Sequence, residues 1–235
     1  MTNCIPTRYN GFMKKLISLS ILLFAGVLVF AQSSTTEPVP DLQDQLEKLL
    51  NKPAMIKPAT AAPLGKNWFR LETDAHVITD AVSVKQVAAV LLDLDNQASF
   101  FNGKKSKLSA AVVSRGETES IVDFVSISVA PLGIQIKTPY RASVSTAVNT
   151  DTVIVVEVRQ LAGNSNTNKD IKNLFATRYA EEVSLNGKTY TYIRIYTIDE
   201  INASILPGAK GTLENGSSPV NEEILQLLIA AAGKK

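Results

Sequence analysis

Hydrophobic and polar positions fall into distinct regimes along the 235 residues. Leu16 to Phe30 is an almost unbroken apolar run. From Asp41 to Asn51, Leu42, Leu46, Leu49 and Leu50 recur at helical spacing behind acidic first-turn residues, which predicts a short amphipathic helix. Pro53, Pro58 and Pro63, set among alanines, predict a stiff non-helical connector to about Gly65.

Near Trp68 the pattern changes to period two. Between Phe69 and Asp80, Phe69, Leu71, Thr73, Ala75 and Val77 alternate with Arg70, Glu72, Asp74 and His76, as in a half-buried strand. Ser83 can cap a helix whose apolar face is Val84, Val87, Ala88, Leu91 and Leu92. A polar stretch from Asp93 to Lys105, broken by Phe100 and Phe101, reads as a second short helix and a loop. Six strands follow: Leu108–Ser114, Glu119–Val129, Leu132–Val148, Thr152–Leu161, Leu174–Leu185 and Lys188–Ile198. Asn186-Gly187 supplies the two positive φ angles of a type I′ turn, so Leu185 faces Lys188, Val183 faces Tyr190, Glu181 faces Tyr192, Tyr179 faces Arg194 and Thr177 faces Tyr196. After Pro219, Ile224, Leu225, Leu227, Leu228 and Ala231 mark a short C-terminal helix over Asn221–Ala232.

The N-terminal apolar run changes the setting. Met13-Lys14-Lys15, the run itself and Val29-Phe30-Ala31 before polar Gln32-Ser33 have the layout of a secretory signal peptide over 13–31, cleaved after Ala31. The run is shorter than the ~20 residues of a membrane span, so a retained helix is the weaker alternative and no stable span is expected after cleavage. Residues 1–12 fit no targeting pattern and read as a mis-assigned start, with Met13 as the true one. Cys4, the only cysteine, lies there, so the mature chain has no thiol for a disulfide, metal site, nucleophile or lipid anchor. The expected setting is secreted or periplasmic. Loss of Arg8, Lys14 and Lys15 leaves 21 basic against 22 acidic residues, with no basic excess for nucleic acid. The expected organisation is a helix and linker over 32–66 and one domain over 67–235.

The order of elements resembles the START-like, or polyketide-cyclase-like, superfamily of helix-grip (SRPBCC-type) proteins. The similar details are Ser83-Val84-Lys85-Gln86-Val87 opening a helix that ends at Leu92-Asp93-Leu94-Asp95, then Phe100-Phe101, then a Tyr-rich last strand running into Leu206-Pro207-Gly208. The resemblance covers about Trp68 to Ala232. It implies an α+β helix-grip fold: an antiparallel sheet of about seven strands wrapped around a C-terminal helix, with a cavity between. Members of the superfamily carry apolar molecules, and a minority are cyclases or hydrolase-like enzymes. The clear helical pattern here is shorter than the usual terminal helix.

Sharper chemistry is scarce. His76, the only histidine, lies on the polar side of its strand and is expected to face solvent; alone it seeds neither a metal site nor a Ser-His-Asp triad. Asn164, Asn166, Asn168 and Asp170 lack the glycine and glutamate of a calcium loop, and Lys104-Lys105-Ser106-Lys107 reads as a solvated loop. No cofactor and no metal is expected. The hairpin register places Tyr179, Glu181, Tyr190, Tyr192, Arg194 and Tyr196 on one face. Turned inward, it is an apolar wall with hydroxyls and two charges; turned outward, it is a convex face of cross-strand pairs. Ala176, Arg178, Ala180, Ile193 and Ile195 on the opposite face also suit an interior.

The preferred reading takes the tyrosine face inward, as part of an exported, non-catalytic protein that binds an apolar or amphipathic, lipid-like small molecule. The ligand-binding set is Phe100, Phe101, Ile134, Ile136, Ile154, Val156, Tyr179, Glu181, Tyr192, Arg194 and Tyr196, with no catalytic residue assigned. The rivals are a helix-grip enzyme using a buried tyrosine or the Glu181–Arg194 neighbourhood, and a cell-envelope interaction module with a filled cavity.

Overall fold

A computed structural model describes residues 55–129, 135–161, 171–204 and 208–235, together with 48, 50, 133 and 206. The signal-peptide pattern, Cys4, nearly all of the Asp41–Asn51 helix, Ile134 and the Asn164–Asp170 loop lie outside the described residues.

Among the described residues, nine antiparallel strands form one sheet: β1 (Met55–Ile56), β2 (Thr60–Gly65), β3 (Trp68–Thr79), β4 (Ser106–Arg115), β5 (Glu119–Val129), β6 (Gln135–Asn149), β7 (Val153–Gln160), β8 (Ile171–Leu185) and β9 (Lys188–Asn202). Their order is β1-β3-β9-β8-β7-β6-β5-β4, with β2 also on β3. The seven long strands are those the alternation predicts. The connector differs from expectation: Thr60–Gly65 pairs with β3 from Glu72 to Trp68, as an edge strand that tolerates Pro63.

Helix α1 (Val84–Leu91) starts in a capping box, with Ser83 and Gln86 exchanging side-chain and backbone bonds, and buries Val84, Val87, Ala88, Val90 and Leu91. Leu92 is its exposed C-cap. A 3-10 turn (Leu94–Asn96) leads to the four-residue α2 (Gln97–Phe100). The β8–β9 register is the one the Asn-Gly turn dictates, pair for pair, with φ of 52° at Asn186 and 75° at Gly187.

The terminal helix corrects the sequence reading. It is α3 (Ala209–Ala232), 24 residues long, with Pro219 inside it. Propensity argues against its first half, where Gly211, Gly216, Ser217, Ser218 and Pro219 weaken the helix. Tertiary contacts override it: Glu214 accepts the Ala61 N–H at 3.1 Å and the Ser218 hydroxyl accepts the Ala59 N–H at 3.2 Å, tying the helix to the β2 edge. Leu213 joins Ala59, Ala61, Leu71, Ala203 and Leu206 in a small apolar cluster beneath it. The second half packs Leu225, Leu228, Ala231 and Ala232 into the main core.

This is an α+β helix-grip architecture: a wrapped antiparallel sheet holding a long C-terminal helix. Among the described residues, no helix is long and apolar enough to cross a membrane.

Candidate ligand cavity

Between the inner face of the sheet and the first half of α3 lies a cavity of about 360 Å³. It exists because that half of the helix is thin. Thr212, Gly216 and Ser217 face the sheet there, whereas Leu225 and Leu228 fill the space about two to four turns further on. Facing strands also contribute small side chains, notably Ala176 on β8. The gap is therefore written into side-chain size on both walls.

Most of the wall is apolar: Ile136 and Tyr140 of β6, Val156 and Val158 of β7, Phe101, and Ile224 of α3. Gln97 anchors the α1–α2 corner of the wall by donating to the Val90 carbonyl at 3.0 Å and to the Asp93 carbonyl at 3.1 Å. In the loop after α2 the Glu223 carboxylate gathers the N–H groups of Lys104, Lys105 and Ser106 at 2.9, 2.7 and 2.7 Å. Burial alone would raise its pKa, but these donors and the Ser106 hydroxyl outweigh that and hold it below the usual value. Gly103 leaves the room, since a Cβ there would stand 2.3 Å from Glu223 Oε2.

Besides Lys107 and Lys137, which are exposed at its border, two enclosed charged-type residues break the apolar wall. Arg178 of β8 sits opposite Val156 and Ile195, and its Nη1 donates to the Thr177 and Tyr196 carbonyls and the Thr197 hydroxyl, at 3.2, 3.3 and 3.3 Å. It is enclosed by protein yet keeps accessible surface, because it opens onto the cavity. Desolvation lowers its pKa to about 10, a cation still at neutral pH. Asp199 of β9, opposite Leu71, is 8% exposed, and its Oδ1 has no hydrogen-bond partner. Burial pushes its carboxyl up to about 7. Tyr140, stacked on Phe124 at 5.3 Å between ring centres, is within electrostatic reach of both and is raised to about 12 by burial.

The sequence-assigned set divides between two faces. Phe101, Ile136 and Val156 line the cavity, and Ile154 is wholly buried in the adjoining core. Phe100 packs on the core from outside the cavity wall, with Lys235 Nζ 5.1 Å from its ring centre. Tyr179, Glu181, Tyr192, Arg194 and Tyr196 lie on the convex face, away from the cavity. The inward orientation of the tyrosine face is thus corrected: Ala176, Ala180, Ile193 and Ile195 are the buried side of this hairpin, and strand alternation sends the tyrosines outward.

The convex face has its own network. Arg194 pairs not with Glu181 but with Asp74, Nε to Oδ1 at 2.8 Å and Nη2 to Oδ2 at 3.0 Å, while Lys57 reaches Oδ2 at 2.6 Å. Burial would raise Asp74, but the bonds to Arg194 and Lys57 outweigh it and hold its carboxyl below the usual range. Tyr179 donates to Glu181, and Tyr196 donates to Glu72 at 3.0 Å. His76 does not face solvent as expected: it is 8% exposed, since Met55 of β1 pairs across it. Desolvation lowers its pKa.

Arg178 and Asp199 escaped assignment for different reasons. Arg178 stands between Ala176 and Ala180 on an otherwise apolar strand face, a cation where the partners are too small to cover it. Asp199 continues the inward series Ile193, Ile195, Thr197, but lies beyond Ile198, where the alternation was taken to end.

Solved structures share this architecture. Human StAR-related lipid transfer protein 5 aligns with a TM-score of 0.49 at 8% identity, over 94% of this chain and 95% of its own. The STAR-related lipid transfer protein from Xanthomonas axonopodis gives 0.45 at 12% identity, over 75% and 99%. The di-domain ARO/CYC StfQ of the steffimycin biosynthetic pathway gives 0.45 at 16%, over 70% of this chain and 51% of that one. No protein-family model and no curated protein matches the sequence. At these identities each is a likeness of fold.

Proposed function

We propose that the protein is an exported carrier that holds an apolar or amphipathic, lipid-like small molecule between the sheet and α3. One observation carries the reading: a cavity of about 360 Å³, largely apolar, at the place where the helix is thinnest. That volume falls within the roughly 300–1,000 Å³ of small-molecule sites. A filled interior, as an interaction module would have, is not what the side chains build. Export rests on the leader pattern of residues 13–31.

Protein purified from the exported fraction of its native cells is expected to begin at Gln32 and to bring a lipid-like molecule with it, both read by mass spectrometry. Ala176→Leu, which adds bulk to the wall, is expected to lower uptake of a fluorescent apolar probe without unfolding the chain. Uptake unchanged by that variant, or no uptake by the wild type, overturns the carrier reading. A start upstream of Met13 overturns export.

A second reading has one observation in its favour. A buried carboxyl with a pKa near 7 in an apolar cavity is poised for general acid–base work. Under that reading Asp199→Asn abolishes turnover of a bound molecule and leaves its uptake intact.

A further inference from the structure

The cavity holds a cation that meets no anion among the described residues. Arg115, Arg141, Arg159 and Arg194 each reach a carboxylate. Arg178 reaches only two carbonyls and a hydroxyl, all neutral. A guanidinium does not readily shed its proton, and enclosing it without a counter-charge costs several kcal/mol in order of magnitude. On the same wall Asp199 keeps an oxygen unpartnered and nearly sealed from solvent. An enclosed cation without a counter-charge is costly in the empty protein although its hydrogen bonds are made, so it calls for an anion that arrives with a ligand.

We infer that the cavity selects a molecule with an apolar body and one anionic carboxylate, a free fatty acid in chemical class, whose head group bonds Arg178. This rests on the carrier reading above. Lys107 and Lys137 also border the cavity but are exposed to solvent, whereas Arg178 is the enclosed cation, and one enclosed cation is matched by the single charge of a carboxylate. The Arg178 fork offers the donors that a carboxylate takes. Tyr140 borders Arg178 and Asp199 and stays neutral. The apolar body lies along Val156, Val158 and Ile136 toward the small residues of α3.

The test compares lauric acid, its methyl ester, dodecanol and dodecyl phosphate as competitors of a fluorescent apolar probe on the full chain at neutral pH. Laurate is expected to bind about tenfold more tightly than the ester or the alcohol. Arg178→Gln should bring the three to within about threefold. Ester or alcohol binding as tightly as laurate overturns the proposal and leaves the carrier reading standing. Dodecyl phosphate winning over laurate overturns the carboxylate assignment. No displacement by any competitor overturns the proposal and the carrier reading together. Because the wild-type comparison decides the matter, a poorly folding Arg178→Gln does not blunt the test.

Discussion

The two faces of the β8–β9 hairpin each enclose an arginine and each carry or border a buried aspartate, yet they treat charge in opposite ways. On the convex face Arg194 and Asp74 form a two-point pair reinforced by Lys57, and Asp74 is held ionised below the usual range. On the concave face Arg178 and Asp199 do not meet, and Asp199 is pushed up to about 7. The same residue types on one sheet thus serve two ends. Paired charges hold structure, whereas unpaired ones are maintained only where something else supplies the partner. The difference locates the site better than the aromatic content does, since most of the tyrosines belong to the structural face.

Breaking the convex pair is the largest expected effect. Asp74→Ala removes the carboxylate shared by Arg194 and Lys57 and should destabilise the domain by about 3–5 kcal/mol at neutral pH. Competitor binding in the cavity should stay unchanged in the folded fraction. Asp74 titrates lower folded than unfolded, so its contribution is present at neutral pH and is lost as pH falls through the depressed value. The gap between variant and wild type in urea melts should close on acidification. A gap that widens there, or lost cavity binding, breaks the division of labour between the faces.

The concave aspartate should behave in reverse. Its carboxyl titrates at about 7 when folded against 3.8 when unfolded, so between those values the folded chain holds more protons. Stability of the ligand-free protein should therefore fall as pH rises from about 4 to about 7 and level off above. Asp199→Asn should remove that slope and gain about 2–4 kcal/mol at pH 8. Parallel pH–stability curves for variant and wild type would show that Asp199 is not held protonated.

How much of this was legible follows from the range of each signal. Strand alternation, the Ser83 cap and the Asn186-Gly187 turn are local, so strand identity and the β8–β9 register were readable to the residue pair. Alternation says which residues share a face but not which face is concave, because that depends on where α3 docks. The tyrosine face was turned the wrong way for that reason. The first half of α3 was missed because its glycines and Pro219 speak against a helix, and only bonds to the β2 edge hold it. Those same small residues make the cavity. The local weakness of the helix and the space for a ligand are one feature of the sequence.

The turn that joins the two faces offers the smallest effect and the sharpest control. A shift of register by one residue would exchange the faces and send Tyr192 and Arg194 inward. Gly187 has a φ of 75° and open space where a Cβ would stand, so Gly187→Val meets backbone strain and no steric clash. A β-branched residue resists that conformation, and the expected loss is about 1–3 kcal/mol in thermal or urea melts. The faces should nonetheless keep their places. β9 pairs with β3 from Trp68 to Thr79, and β8 pairs with β7 from Val153 to Arg159, so the register is fixed from both sides without the turn. Competitor preferences in the cavity should therefore match the wild type at a lower melting temperature. Altered preferences would mean that the turn alone sets the register and, with it, which arginine the ligand meets.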